Sequence, residues 1–402
     1  MGESPEGTVA NRLQRELEPG LPEQTICPPA ASIAEARSAP DPTSHSARLE
    51  FTGSGAEYFR IWVVNLLLTL LTLGVYSAWA KVRKARWFAR HTRLMGDAFD
   101  YHGDPLRILL GRALGLVLLA GYSHAFLWST MAGLLMFGLL YAMGPLLFAN
   151  AQRFKLANTS WRGLRFGFEA PWPAVYRVCL PLLLIWTAST LVHELKLGNA
   201  AMWTSMGLTT LGLPWAHARL KQLQHEHARY GEQSFSFEPA SAKFYGLYAA
   251  ALGLVILGGI LAMLVVGLSA WGGAHWAKGD LRQFLLGFLA MVVVWLVTWP
   301  FFAARAQRIV WGHTSLGDIE FVGEMESGAM WKLALKQTLL VLLTAGLYWP
   351  FAAVALARYR VETVVLTARR PVESFVVAAS SAGSRGAAGD GSVDLFGLDL
   401  GW

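Results

Sequence analysis

The sequence repeats itself, and the repeat limits every fold open to it. His91, Asn158, His227 and His313 are each followed eight positions later by a phenylalanine: Phe99, Phe166, Phe235 and Phe321. Between each anchor and its Phe lies a glycine, four or five positions on: Gly96, Gly163, Gly231 and Gly317. Thr92, Thr159 and Thr314 follow three of the anchors, and Ala228 follows the other. Pro145, Pro214 and Pro300 stand fourteen residues before the Thr position, where the first copy has Ala78. Eight residues past that point come Arg86, Arg153, Gln222 and Arg308. A fifth copy is split between the ends. "LEFTGSGAEYFRIW", around Phe51, parallels "IEFVGEMESGAMWKLA", and Thr72 and Gly74 correspond to Thr344 and Gly346. The last copy carries Pro350 and Arg358 and reads as stopping without a strand. Self-similarity at this spacing marks a chain built from equivalent supersecondary units.

Long apolar runs separate these phrases, near 61–79, 106–128, 130–149, 174–192, 200–216, 244–271, 283–303 and 331–350. A run of 18 or so such residues spans a hydrocarbon core of about 30 Å as a helix. With only 15% charged residues, against about 25% in soluble domains, the chain reads as an all-α polytopic membrane protein with about eight hydrophobic helical segments. The period-two pieces "FDY", "FGF" and "FSF" suit strands. Five strands, around Phe51, Phe99, Phe166, Phe235 and Phe321, are expected to pair as a small β platform at the membrane face, since lone strands expose unpaired backbone. A Pro at Pro145, Pro214, Pro300 or Pro350 is expected to bend or end its helix near the interface, with an amphipathic basic stretch after it.

Residues 1–49 hold seven acids and four bases, and residues 371–402 hold four acids and one base. Each end is therefore −3, so the total of +7 leaves +13 on residues 50–370. Both ends read as mostly disordered tails flanking a transmembrane domain of residues 50–370. Cys27 and Cys179 form neither a disulfide framework nor a thiolate metal site by spacing. The N-terminus has no basic start followed by an apolar core, so no cleavable signal peptide is expected. Residues 81–93 carry six bases and no acid, which assigns this loop and its equivalents to the cytoplasm. Eight full spans would part the Phe51 strand from its sisters. If 61–79 and 331–350 dip in and return, all strands stay on one side, and the Thr-x-Gly pairs would mark the turning points.

The stretch "YFRIWVVNLLLTLLTLGVYSAWAKVRKARWFARHTRLMGDAFDYHG" resembles the signature of the YjgN family, bacterial inner-membrane proteins grouped as a domain of unknown function (number 898). The likeness covers roughly residues 50–370, including "GHTSLGDIEF" and "LTAGLYWPF". It implies a multi-pass protein of the bacterial inner membrane, and supplies no catalytic residues or cofactor.

Little in the chain suggests chemistry. There is no HExxH, GxSxG or GxxxxGK[ST], so no enzyme class or cofactor is indicated. His217, His225 and His227 have spacings of eight and two, poor for one metal on one helix face. Asn158 shares the place of His91 and His313, so hydrogen bonding at the turn explains that position better than proton transfer. Acids are scarce inside the apolar runs, which counts against proton coupling. What repeats is base. Arg83, Arg86, Arg153, Arg305 and Arg308, backed by Arg60, Arg107, Arg112, Arg177, Lys243, Lys332 and Lys336, suit the headgroups of anionic membrane lipids. These bases flank membrane segments, so nucleic acid is not an expected partner. The expected function is non-enzymatic transport or a lipid or envelope role. The alternative is a scaffold that holds protein partners on the strand platform.

Overall fold

The computed structural model describes residues 45–271 and 281–368, so both expected tails fall largely outside the described residues. Residues 45–49, assigned to the N-terminal tail by composition, begin the first strand. Ten strands and ten helices follow in a regular order. The strands are β1 (His45–Phe51), β2 (Thr92–Leu94), β3 (Asp97–Tyr101), β4 (Thr159–Trp161), β5 (Leu164–Phe168), β6 (Ala228–Tyr230), β7 (Gln233–Phe237), β8 (Thr314–Leu316), β9 (Ile319–Gly323) and β10 (Val364–Ala368). The helices come in pairs: α1 (Gly55–Leu71) and α2 (Ser77–His91); α3 (Pro105–Trp128) and α4 (Thr130–Ala157); α5 (Trp172–Glu194) and α6 (Asn199–Glu226); α7 (Ser241–Trp271) and α8 (Leu281–Trp311); α9 (Ser327–Leu343) and α10 (Trp349–Glu362).

The strands form a closed antiparallel ten-stranded barrel, not the small platform expected. The missing strands are β2, β4, β6 and β8, three residues each, together with β10, which gives the last unit the strand it was thought to lack. Each short strand folds straight back on its successor through a two-residue turn, pairing Leu94 with Asp97, Trp161 with Leu164, Tyr230 with Gln233 and Leu316 with Ile319. The variable place of the glycine now has a reason. Met95–Gly96 and Arg162–Gly163 have positive φ at both turn residues, whereas Gly231 and Gly317 have positive φ at the first turn residue alone. These are the type I′ and type II′ solutions of the same hairpin, and moving the glycine by one residue switches between them without changing the register. The fifth hairpin is split by the termini and is completed by β1 pairing with β10.

One level of the barrel interior is filled by ten side chains in pairs: Leu49–Leu94, Phe99–Trp161, Phe166–Tyr230, Phe235–Leu316 and Phe321–Leu366. They pack as one cluster, with Tyr230 at 1% exposure. The barrel is a plug, not a pore. Phe51 does not belong to this level. It pairs with Thr92, one step nearer the helices, and packs on Tyr58 and Trp87. Its true equivalents are Tyr101, Phe168 and Phe237, which pair with Thr159, Ala228 and Thr314.

Every helix pair leaves one strand and returns to the next, so all ten strands lie at one end of the helices. In space each helix packs on its neighbours in sequence, and α1 against α10 closes the circuit. Among the described residues, five stretches are long and apolar enough to cross a membrane: α3, α4, α5, Ser241–Gly267 of α7 and Phe284–Trp311 of α8. This corrects the expected eight segments. Run 200–216 lies in α6, where Asn199, Thr204, Ser205, Thr209 and Thr210 lower the mean hydropathy. Runs 61–79 and 331–350 are each a short helix, a turn and the start of a returning helix.

Those two short pairs turn at Thr72–Gly74 and Thr344–Gly346. Gly74 N–H reaches Thr69 O at 2.8 Å, and Thr72 Oγ1 donates to Leu68 O while accepting from Tyr76 N–H. The second turn repeats this with Gly346 to Val341 O, and Thr344 Oγ1 between Leu340 O and Tyr348 N–H. The apices are apolar and uncovered, with Leu73 at 95% exposure. A turn in hydrocarbon must satisfy its own backbone, and these threonines supply the means. At 17 residues, or about 26 Å, α1 and α9 reach less far than the 31 residues of α7. An expected result follows for Leu73→Cys. It resists a membrane-impermeant maleimide, whereas Asp318→Cys at a barrel turn reacts from the cytoplasmic side and Lys196→Cys, at the tip of α5–α6, from the other. Rapid labelling of Leu73→Cys in sealed vesicles contradicts the dipping hairpin.

The prolines do not end the long helices. Pro145, Pro214 and Pro300 are internal to α4, α6 and α8, and of these four prolines Pro350 is the one in the first turn of its helix. A proline leaves carbonyls of the preceding turn without a donor. Tyr176 Oη donates to Ala142 O at 2.7 Å and Tyr245 Oη to Leu211 O at 3.0 Å. Each accepting carbonyl lies three residues before a proline, and each tyrosine comes from the following helix pair. The neighbour thus repairs the ladder, and the helix runs on.

Candidate functional site

The sequence-derived site residues converge on a collar where helices meet barrel, and the unit's local structure explains the anchor first. Each anchor caps the C-terminus of its returning helix by bonding the carbonyl four residues back: His91 Nδ1 to Trp87 O, Asn158 Nδ2 to Phe154 O, His227 Nδ1 to Leu223 O, His313 Nδ1 to Ile309 O. In the fifth unit Thr363 Oγ1 donates to Tyr359 O. The anchor's own carbonyl accepts from the residue that leaves the neighbouring strand: Thr52, His102, Glu169, Glu238 and Glu324 donate to His91, Asn158, His227, His313 and Thr363 at 2.8–2.9 Å. The repeated phrase is therefore a joint. It satisfies orphan carbonyls of a helix end and ties unit to unit.

The five arginines divide by position. Those eight residues past the Pro position are tied to backbone carbonyls where the next unit leaves its strand. Arg86 Nε donates to Tyr101 O at 3.1 Å, Arg153 Nη2 to Ala170 O at 3.3 Å and Arg308 Nη2 to Met325 O at 2.6 Å. Arg358, which the expected belt did not include, donates to Gly53 O at 2.9 Å and so joins the last helix to the first unit. Its position eight past Pro350 was the available signal. Arg153 also stacks over Trp172, 4.4 Å from the ring centroid.

Those five residues past the Pro position are different. Arg83, five past Ala78, and Arg305, five past Pro300, are exposed and make no hydrogen bond or ion pair with any described residue. Arg305 lies over the Phe301 ring at 4.5 Å. Arg219 has the equivalent place in α6 and bonds Gln222 Oε1. The helix thus turns one base toward the protein and presents another, one turn earlier, at the outer rim.

The three histidines near α6 go separate ways. His217 Nδ1 meets Tyr248 Oη at 3.1 Å, His225 Nδ1 meets Thr314 Oγ1 at 3.0 Å, and His227 caps its own helix. At the barrel end of α6, burial, reinforced by the Lys221 ammonium, holds the His225 imidazole down to about 3. His225 is therefore a neutral packing group at physiological pH. No cluster of three or more His, Cys, Asp or Glu able to hold a metal occurs among the described residues. Cys179 is buried in α5 against Val175 and Phe168.

A plugged barrel carrying a circuit of apolar helix pairs, with a basic collar between, defines an integral membrane protein of repeated architecture. The chain belongs to the family described as bacterial protein of unknown function (DUF898), which matches residues 46–395. It is 30% identical over 165 residues to the inner membrane protein YjgN of Salmonella typhimurium, covering 40% of this chain and 41% of the relative. It is 29% identical over 151 residues to the protein of that name from Escherichia coli O157:H7, covering 36% of each. The chain thus aligns with about two fifths of the length of these relatives. No solved structure matches it. The expected localisation, a multi-pass protein of the bacterial inner membrane, agrees with these names and with the apolar helices.

Proposed function

We propose that this protein is a non-enzymatic, lipid-directed component of the inner membrane that engages anionic phospholipid headgroups at its collar. The observation that carries the reading is the pair Arg83 and Arg305. They occupy the same place in two units, at the boundary of apolar helix and polar barrel, exposed and without a hydrogen-bond or ion-pair partner among the described residues. A guanidinium held there bonds phosphate oxygens through several N–H groups at once. The filled barrel interior supports lipid handling over conduction of aqueous solutes through the barrel axis.

Each base at an anionic surface contributes about 1 kcal/mol. The double variant Arg83→Gln/Arg305→Gln is therefore expected to bind phosphatidylglycerol roughly thirtyfold more weakly, measured by native mass spectrometry of the detergent-solubilised protein. Added salt should narrow the gap. Equal retention of phosphatidylglycerol by wild type and variant contradicts the reading. Neither substitution touches the carbonyl bonds of Arg86, Arg153 and Arg308, so the fold is left alone.

The scaffold reading keeps one specific support. A polar cleft of about 440 Å³ opens on the barrel wall, lined by Asp97, Asp100, His102, Ser160, Arg162 and Arg165 among others. Ion pairing of Arg162 with Asp97 and of Arg90 with Asp100 organises it, a surface suited to a polar segment of a partner.

A further inference from the structure

A groove of about 730 Å³ lies between α7 and α8 and is almost wholly apolar. Small residues open it, Gly259 and Ala262 on α7 and Gly287 and Ala290 on α8, while Trp295 and Phe302 wall it. Its α8 side is the stripe Met291, Val294, Thr298 and Phe302, spaced by three and four residues. The next residue on that stripe, three past Phe302, is Arg305. The groove therefore ends one turn from a guanidinium that stacks on Phe301 and has no hydrogen-bond or ion-pair partner among the described residues. Thr298 lines the groove with its Oγ1 buried and unbonded, two turns from Arg305, where a buried hydroxyl calls for a partner.

We infer that this groove holds one acyl chain of an anionic glycerophospholipid whose phosphate is bound by Arg305. The inference rests on the collar reading and gives it a defined site. From Gly287 to Phe302 the α8 side is about 22 Å long, more than the roughly 15 Å hydrocarbon depth of one leaflet, so a chain of the barrel-side leaflet fits lengthwise. The phosphate meets the cation, the ester region lies near the depth of Thr298, and the tail lies along the small residues. Charge at one end and apolar walls along the length commit the site to an anionic lipid: a soluble anion has no tail for the groove, and the ammonium of a zwitterionic lipid offsets its phosphate charge beside the cation.

Gly259 and Gly287 allow a clean test, because a Cβ at either meets nothing within 4 Å. Leucine at both puts bulk into the groove from positions where the added Cβ has open space, and both sites lie within helices, where Leu is favoured over Gly. The double variant Gly259→Leu/Gly287→Leu, wild type and Arg305→Gln are compared by native mass spectrometry with phosphatidylglycerol and phosphatidylcholine as probes. Wild type is expected to retain one phosphatidylglycerol through a collision energy that strips the rest. The groove-filled variant loses that tight lipid while keeping the weaker, salt-sensitive binding. Arg305→Gln binds it about fivefold more weakly and loses its preference over phosphatidylcholine. If the groove-filled variant keeps the tight lipid, the inference is overturned, yet the collar reading stands provided Arg83→Gln/Arg305→Gln still weakens binding. If wild type prefers phosphatidylcholine or shows no tight lipid, the inference is likewise overturned.

Discussion

Tyr230→Ala is expected to cost about 3–5 kcal/mol, the range for removing a buried aromatic from a packed core. Tyr230 is 1% exposed at the barrel centre. Its ring lies 4.9 Å from Phe166 and 5.7 Å from Trp161, and its hydroxyl donates to Trp161 O at 3.0 Å. Two adjacent units therefore meet through this side chain. Tyr230→Phe keeps the ring contacts and loses one hydrogen bond, so about 1 kcal/mol is expected. Chemical denaturation followed by tryptophan emission distinguishes the two, since Trp161 reports on the same core. If Tyr230→Ala costs no more than the roughly 0.5 kcal/mol of a surface change, the barrel interior is not the packed plug described.

Gly323→Phe is expected to destabilise strongly although it makes the sequence more repetitive. Position 323 pairs with Val364, the level at which other units carry Tyr101, Phe168 and Phe237. Here α8 runs against the strand. A Cβ on Gly323 would lie 2.9 Å from Arg308 Cα and 3.3 Å from Gln307 O, and both are backbone atoms that cannot rotate away. Overpacking of this kind costs typically 1–3 kcal/mol for a few added methylenes, and a benzyl group against backbone belongs at or above the top of that range. Separation of α8 from β9 would also strain the Arg308–Met325 bond. Loss of monodisperse protein on size exclusion after mild heating is expected, with Gly323→Ala intermediate. A Gly323→Phe protein as heat-stable as the parent would show that α8 does not lie on β9.

Much of this was legible because the repeat carries physics as well as similarity. The apolar runs, the basic returns, and the anchor that takes His or Asn all announce helix pairs with capped ends. The Thr-x-Gly pairs marked the two dipping turns. The barrel was harder to see. A three-residue strand such as "TRL" or "ARY" is too short for alternation to register. One signal was present: an apolar residue three positions past each anchor, Leu94, Trp161, Tyr230 and Leu316, all buried. Phe51 was misplaced by two residues because residue type was followed where pairing register decides, and Leu49 faces Leu94 as Phe99 faces Trp161. Nothing in composition separates an arginine five residues past the Pro position from one eight past it. One helical turn decides whether it faces a carbonyl or the rim.

The central claim is that five units close into one ring through the first and last strands. Ser46 and Thr367 are outward neighbours on β1 and β10, although 321 residues separate them in the chain (367 minus 46). With Cys27 and Cys179 replaced by Ser and Ala, the double variant Ser46→Cys/Thr367→Cys is oxidised in the membrane and then cut by a protease between the units. Opposed strand residues have Cβ atoms about 4.5–5.5 Å apart, close enough for a disulfide after a small adjustment. A closed ring predicts that the N-terminal and C-terminal fragments migrate together until reduced, whereas a control with Ser46→Cys paired to Ser234→Cys on the far wall does not cross-link. Fragments that separate without reductant, with both thiols reactive, would mean that β1 and β10 are not neighbours and that the ring is open.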